Sequence, residues 1–288
     1  MAFWRVLSIN NAMELLDGKA LAKKMRAHIK EEIDKADIIP VLAVVIVGEN
    51  PASQIYVRNK VKACAEVGMR SFSYELPENV SQEELESLLD TLAASSDVHG
   101  ILLQLPLPNG LNAESAMARI PSCKDVDGFS AENLGLLVLN EQRYAACTPS
   151  GVMMLLQEAG IELSGKNAVV LGRSDTVGKP MALLLLNANA TVTVCHSKTQ
   201  NLTEICKQAD ILVAAVGKPN FVTADMVKEG AVVVDVGINR SVDGKLCGDV
   251  DFENVSKKAS FITPVPGGVG PMTITMLLKN TCIAAWKK

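Results

Sequence analysis

Residues 168–187 read AVVLGRSDTVGKPMALLLLN. Ala168–Leu171 is an uncharged aliphatic run, the pattern of a strand covered on both faces. Gly178–Asn187 is predicted as a helix. Between them lies Gly172-Arg173-Ser174-Asp175-Thr176-Val177-Gly178-Lys179-Pro180, with its two glycines six apart. A glycine turn lets backbone N–H groups approach a phosphate, and the helix N-terminus behind it favours negative charge. The spacing matches neither GxGxxG nor a P-loop, which needs Lys followed by Ser or Thr after its last glycine. A tight strand-to-helix turn without a ligand is the plain alternative when this stretch is taken alone.

The same rhythm continues outward. Thr191–Cys195, Ile211–Val216, Ala231–Val236 and Phe261-Ile262 are predicted strands, with a helix at Leu202–Lys207. This predicts a Rossmann-type doubly wound domain over 149–271. A helix starting at Thr148-Pro149 and closed by Gly160 marks the boundary. Upstream, VLAVVIVG (41–48) and Gly100–Pro106 are predicted buried strands. Pro51-Ala52-Ser53 opens a helix with Ser53 as its cap and Gly68 as its stop. Ser81-Gln82-Glu83-Glu84 is a capping box ahead of Leu85, Leu88, Leu89 and Leu92. Leu21, Met25, Ile29 and Ile33 mark one face of an earlier helix, with His28 beside it as a surface or packing residue. The last helix, Met272–Trp286, follows a Pro/Gly-rich turn and is expected to return to the first domain. The expected fold is therefore α/β: an N-terminal α/β catalytic domain (13–148 plus 272–288) and a Rossmann-type NADP-binding domain (149–271), separated by a cleft.

Composition narrows the function. The 288 residues carry 28 Lys+Arg against 32 Asp+Glu, a net charge of −4 that argues against a nucleic-acid binder. Aromatics make up only 4% while 48% of residues are hydrophobic, which favours an aliphatic parallel sheet. No apolar run approaches the ~20 residues of a membrane span. The seven cysteines are scattered without CxxC spacing, so buried thiols in a reducing cytoplasm are expected, with neither a disulfide framework nor structural zinc. Residues 1–12 hold a single charge, Arg5, and lack the features of a secretory signal. Met13-Glu14-Leu15-Leu16 reads as the start of the fold.

Several residues point to chemistry. Tyr56 and Lys60 stand at i and i+4 on one helix face, with Ser53 a turn earlier. They follow a buried strand, where α/β proteins form ligand sites. A surface lysine is the plain alternative. Gln104 interrupts the apolar ILLQLPLP, and a buried amide needs partners, whether in a core or in a site. Lys124-Asp125-Val126-Asp127-Gly128-Phe129 sets two carboxylates two apart, too few ligands for a convincing metal site. The strand ending Val194-Cys195-His196-Ser197 lacks the acidic residue with which NAD enzymes hold the ribose 2′-hydroxyl. Arg173 stands in the glycine turn instead. Arginine and hydroxyls bind a 2′-phosphate that a carboxylate would repel, so NADP is expected over NAD.

Together YVRNKVKACAEVGM, GILLQLPLP, KDVDGF, CTPSG, GRSDTVGKP and PVPGGVGPMT resemble the bifunctional methylenetetrahydrofolate dehydrogenase/cyclohydrolase family, in that family's order and from about Leu15 to the end. Ala146 and Thr176 depart from its usual Pro and Ile. The resemblance implies NADP-dependent oxidation of 5,10-methylenetetrahydrofolate, then hydrolysis of the 5,10-methenyl cation to 10-formyltetrahydrofolate, on one site. Carried over by position, Lys60 is the catalytic lysine, and Tyr56 packs along the folate and orients it. Gln104 tunes Lys60, and Asp127 holds the pterin donors. Ser53, Gly268, Pro271 and Thr275 shape the folate pocket. Gly172, Arg173, Ser174, Gly178, Ser197 and Ile238 bind the cofactor, and no metal is involved. A cytoplasmic homodimer acting on tetrahydrofolate derivatives is further implied, with neither nucleic acid nor membrane as partner.

Two other readings remain open from the residues alone. One is a two-domain NADP dehydrogenase of the shikimate or amino-acid type, because fold does not fix function. The other is a non-catalytic binding or scaffold protein, which would be expected to have lost Lys60, Gln104 or Asp127.

Overall fold

A computed structural model describes residues 13–241 and 243–286. Residues 1–12 lie outside the described residues, and so does the expectation about them. The first elements are β1 (Glu14–Leu15), α1 (Gly18–Lys35), β2 (Val41–Val47), α2 (Pro51–Glu66), β3 (Arg70–Leu76), α3 (Gln82–Ala94) and β4 (Gly100–Leu103). Every residue of β2 is buried, as in a central strand covered on both faces. It pairs in parallel with β3 on one side and β4 on the other. The capping box at Ser81 and Glu84 forms and starts α3.

Three short elements follow: α4 (Ala113–Ala118), α5 (Ala131–Val138) and α6 (Cys147–Glu158). The second half then runs β5 (Asn167–Leu171), α7 (Gly178–Asn187), β6 (Thr191–Cys195), α8 (Leu202–Cys206), β7 (Ile211–Ala214), β8 (Val232–Asp235), β9 (Asn239–Arg240) and β10 (Leu246–Cys247). It ends with α9 (Phe252–Val255), β11 (Phe261–Ile262) and α10 (Val269–Trp286). Six strands form one parallel sheet in the order β1-β11-β8-β7-β5-β6.

Both sheets reverse their winding at an inner strand. The chain leaves β2 toward β3 and returns to place β4 on the opposite side. It leaves β5 toward β6 and returns to place β7 on the opposite side. Ligands bind at the carboxyl ends of strands at such reversals.

The final helix connects the halves. Val269 and Met272 belong to the core under the larger sheet, whereas Met276, Leu277, Leu278 and Cys282 pack with Ile29, Leu42 and Val44 beneath the smaller one. It thus packs on both halves, its later turns on the first.

Four local expectations are corrected. Asn50, not Ser53, caps α2: its side chain accepts from the Ala52 and Ser53 N–H groups at 3.0 and 3.1 Å. Strand β3 goes unseen in the sequence because an edge strand with half-exposed residues shows no apolar run. Strand β4 stops at Leu103, so Gln104 stands at its carboxyl end rather than inside it. Helix α6 begins at Cys147, which puts Pro149 third in the helix rather than first. In addition, Glu14 and Leu15 pair with β11 of the larger sheet. His28 is exposed beside Glu32. All seven cysteines are free; five are buried, Cys247 is half-buried and Cys123 is exposed.

Candidate active site

Helix α2 begins where β2 ends, and its spacing aims Ser53, Tyr56 and Lys60 along one side. Strand β4 delivers Gln104 to the same edge. Lys60 is only 8% exposed, and its ammonium donates to Gln104 Oε1 at 3.1 Å. Gln104 Nε2 donates to the Leu105 carbonyl at 2.6 Å. With its amide nitrogen committed to that carbonyl, the amide oxygen is left to face the lysine. Gln104 is therefore a partner of Lys60 in the site and not a core amide.

These residues line a cleft of about 460 Å³ between the two sheets. Asn50, Ser53, Tyr56, Lys60 and Gln104 form one wall, and Val177, Val236 and Ile238 form the other. The start of α10 closes it with Val269, Gly270, Thr273 and Ile274, and Thr273 shares a 2.9 Å hydroxyl contact with Thr148. Burial pushes the Tyr56 phenol above its ordinary value, yet the residue is 37% exposed and lines the cleft. A flat ligand could stack there.

The paired carboxylates divide their work. Asp125 is buried and accepts from the Gly128 and Ser130 N–H groups at 3.1 and 2.7 Å and from Asn133 Nδ2 at 3.0 Å. It folds the loop. Asp127 keeps a partial opening to solvent. Lost hydration pushes its carboxyl upward, the Lys60 charge opposes that rise, and the Cys147 thiol also touches it. Asp127 is not among the residues lining the cleft; it stands behind them, close enough to Lys60 to feel its charge.

Gly268, Pro271 and Thr275 are not among the residues lining the cleft. Gly268 packs against Pro264 and Gly18: a Cβ on Gly18 would lie 1.8 Å from its carbonyl oxygen. Thr275 is fully buried, donates to the Pro271 carbonyl at 3.0 Å and receives Arg26 Nε at 3.0 Å. These three residues hold the wall from behind, and their neighbours Gly270, Thr273 and Ile274 form its surface.

At the larger sheet the glycine turn joins β5 to α7. Gly172 adopts φ +115°, and a Cβ on it would meet the Ala215 carbonyl oxygen at 2.2 Å. A Cβ on Gly178 would meet the Gly172 carbonyl oxygen at 2.3 Å. Only glycine allows so tight a turn. Ser174 Oγ accepts from the Val177 and Gly178 N–H groups at 3.2 and 3.3 Å, which starts α7. Asp175 is paired with Lys179. Arg173 and Ser197 are exposed at the ends of the adjacent strands β5 and β6. A glycine cradle with a free guanidinium and hydroxyl beside it fits a phosphorylated dinucleotide.

The sequence reading missed Asp235 and Asp249. Asp235 ends β8 and accepts from the Gly237, Asp249 and Val250 N–H groups, each at 2.9 Å. A carboxylate closing the apolar run Ala231–Val236 was the available signal, since it must find donors once buried. Burial nevertheless pushes the Asp235 carboxyl up to about 6. A folded-state value above the ordinary 3.8 means that this group's contribution to stability is complete below about pH 4 and is lost as pH rises through about 6. Thermal melts from pH 4 to 7 should show wild type losing stability relative to Asp235→Asn as pH rises. A pH-independent difference would contradict the buried-acid assignment.

The profile described as the tetrahydrofolate dehydrogenase/cyclohydrolase catalytic domain matches residues 16–127, and that of the same family's NAD(P)-binding domain matches residues 146–288. The bifunctional protein FolD of Campylobacter concisus is 58% identical over 279 residues, 96% of this chain and 99% of its own. The crystal structure of the FolD methylenetetrahydrofolate dehydrogenase/cyclohydrolase from Campylobacter jejuni superposes with a TM-score of 0.93 at 54% identity, covering 95% of this chain and 99% of that one. The Trypanosoma brucei FolD, solved with NADP cofactor and inhibitor, gives 0.90 at 42% identity, covering 94% and 97%. A Thermus thermophilus shikimate dehydrogenase, 18% identical with a TM-score of 0.51 over 83% of this chain and 99% of that one, shares the fold alone.

Proposed function

The chain belongs to the tetrahydrofolate dehydrogenase/cyclohydrolase family, and from that premise we propose that the cleft between its sheets serves both reactions, with Lys60 at their centre. The enzyme oxidises 5,10-methylenetetrahydrofolate to the 5,10-methenyl cation and hydrolyses that cation to 10-formyltetrahydrofolate. Its cofactor is NADP, which when bound takes up the hydride.

The observation that carries the site assignment is the Lys60–Gln104 hydrogen bond at the cleft wall, with Asp127 within reach of the lysine charge. In its neutral form the Lys60 amine can accept a proton from the water that attacks the methenyl carbon. Gln104 fixes the lysine in place. Tyr56 supplies a face for the folate, and Asp127 offers two acceptors to the donors of a pterin edge. Ser53 completes the wall. Gly268, Pro271 and Thr275 shape it from behind. Adding methylenetetrahydrofolate and NADP to the purified protein should produce the absorbance of the methenyl product; none appearing would sink the reading.

We assign Gly172, Arg173, Ser174, Gly178, Ser197 and Ile238 to the cofactor. Residues 13–148 with 272–288 form the folate unit and 149–271 the nucleotide unit, with β1 crossing over to the larger sheet. Arg173 supplies the charge for the 2′-phosphate. Arg173→Ala should lower kcat/KM for NADP roughly 10- to 100-fold, the worth of a hydrogen bond to a charged group, and leave NAD within about threefold. Equal losses with both cofactors would place Arg173 elsewhere.

The protein acts in the cytoplasm as a homodimer without nucleic-acid or membrane partners. Among the described residues no helix is long and apolar enough to cross a membrane. Strand β6 ends the larger sheet in this chain and is available for pairing with a second copy.

A further inference from the structure

Two buried carboxylates at the edge of the larger sheet have no role in the chemistry described so far. Asp249 is fully buried, and its carboxylate accepts four hydrogen bonds. Three come from consecutive backbone N–H groups, those of Val216, Gly217 and Lys218 at 2.6, 2.9 and 2.9 Å. The fourth comes from Asn239 Nδ2 at 2.8 Å. Asp249 thereby ties the loop leaving β7 to the segment leaving β8. Asp235 lies beneath and binds the Gly237 and Asp249 N–H groups.

The backbone makes room for both groups. A Cβ on Gly237 would lie 2.2 Å from Asp249 Oδ1, and one on Gly248 would lie 1.8 Å from Asp235 Oδ2. Each carboxylate sits where the facing segment has no side chain. The segment they hold carries Val236 and Ile238, which line the cleft.

We propose that Asp249 is a positioning residue for hydride transfer, holding 216–218 and 236–239 in the pose that receives the dinucleotide. It is fully buried and is not among the residues lining the cleft. Its effect should therefore fall on cofactor binding and spare the hydrolysis step, which needs no cofactor. The proposal rests on the function inferred above.

Asp249→Asn is the test. Asparagine keeps one acceptor oxygen and turns an NH2 toward backbone donors. The Kd for NADP, measured by calorimetry without folate, should rise at least about tenfold, as expected for losing hydrogen bonds to a charged group. KM for NADP should rise with it, while hydrolysis of added 5,10-methenyltetrahydrofolate stays within about threefold of wild type. Gly237→Ala, which crowds the same carboxylate, should give the same split. An unchanged Kd, or hydrolysis falling in parallel with hydride transfer, would overturn the proposal and leave Asp249 a structural residue only. If Asp249→Asn does not fold, Asn239→Ala removes a single bond and should still raise the Kd for NADP; no change there also overturns it. Should the wild type neither oxidise nor hydrolyse folates, the functional reading fails, whereas the NADP titrations still decide the role of Asp249.

Discussion

Lys60→Met should reduce hydrolysis of 5,10-methenyltetrahydrofolate by roughly 10²- to 10⁴-fold, the usual contribution of a positioned general base. Methionine has similar length and suits a pocket where Lys60 is 8% exposed, so the fold should persist. Hydride transfer needs positioning but no proton, and should fall much less. Two secondary effects follow from the geometry. Gln104 Oε1 loses its donor, since the lysine is the group that reaches it at 3.1 Å. Asp127 loses the charge that opposes its upward shift and takes a proton still more readily. The folate KM should therefore rise somewhat in both assays. Decay of added methenyl substrate and formation of NADPH measure the two steps separately. Undiminished hydrolysis would remove Lys60 from the mechanism. Equal loss of both steps would make it a binding residue.

The parts legible in the sequence are those where local pattern and tertiary role agree. Ala168–Leu171, Gly172 and Gly178–Asn187 spell strand, turn and helix because the strand is central and the turn admits only glycine. Gln104 stands out because it is polar at the end of an apolar stretch, and Lys60 because it shares a helix face with Tyr56 just past a buried strand; the structure joins them. Where an element borrows stability from neighbours, the pattern fades. Strand β3 is half-exposed and pairs in full register with β2, so its partner defines it rather than its own residues. Asn50 outcompetes Ser53 as a cap because the chain enters α2 one turn earlier than Pro51-Ala52-Ser53 suggests. Asp235 and Asp249 lie fourteen positions apart and become one unit only when β8 and the 248–250 segment meet. Thr275 shows the reverse case: its position relative to PVPGGVGPMT implied a pocket wall, but helical phase turns it toward Arg26. Val269, Gly270 and Thr273 of the Gly/Pro-rich motif line the cleft, but the motif itself leaves open which of its residues face it.

Asp127→Ala should abolish both activities, lowering kcat/KM roughly 10²- to 10⁴-fold in each, as expected for two hydrogen bonds to a charged group. The reasoning separates it from Asp125 two residues away. Asp125 spends its oxygens on Gly128, Ser130 and Asn133, so its removal should cost stability. Asp127 is touched by the Cys147 thiol, but among the described residues its oxygens accept from no backbone N–H, so its removal should cost folate binding and little stability. The loss should appear in the folate KM, with the Kd for NADP unchanged, because the glycine turn and Arg173 lie on the other sheet. Asp127→Asn, which retains one acceptor oxygen, should fall between wild type and Asp127→Ala. The pH dependence carries an independent check. Burial raises the Asp127 carboxyl, so it takes its proton at a higher pH than an exposed aspartate. The acidic limb of folate binding should therefore lie above the ordinary carboxylate range in wild type and vanish in Asp127→Asn. Selective loss of hydrolysis in Asp127→Ala would give a different answer: Asp127 would then act only through its charge on Lys60, and the pterin edge would have to be held elsewhere.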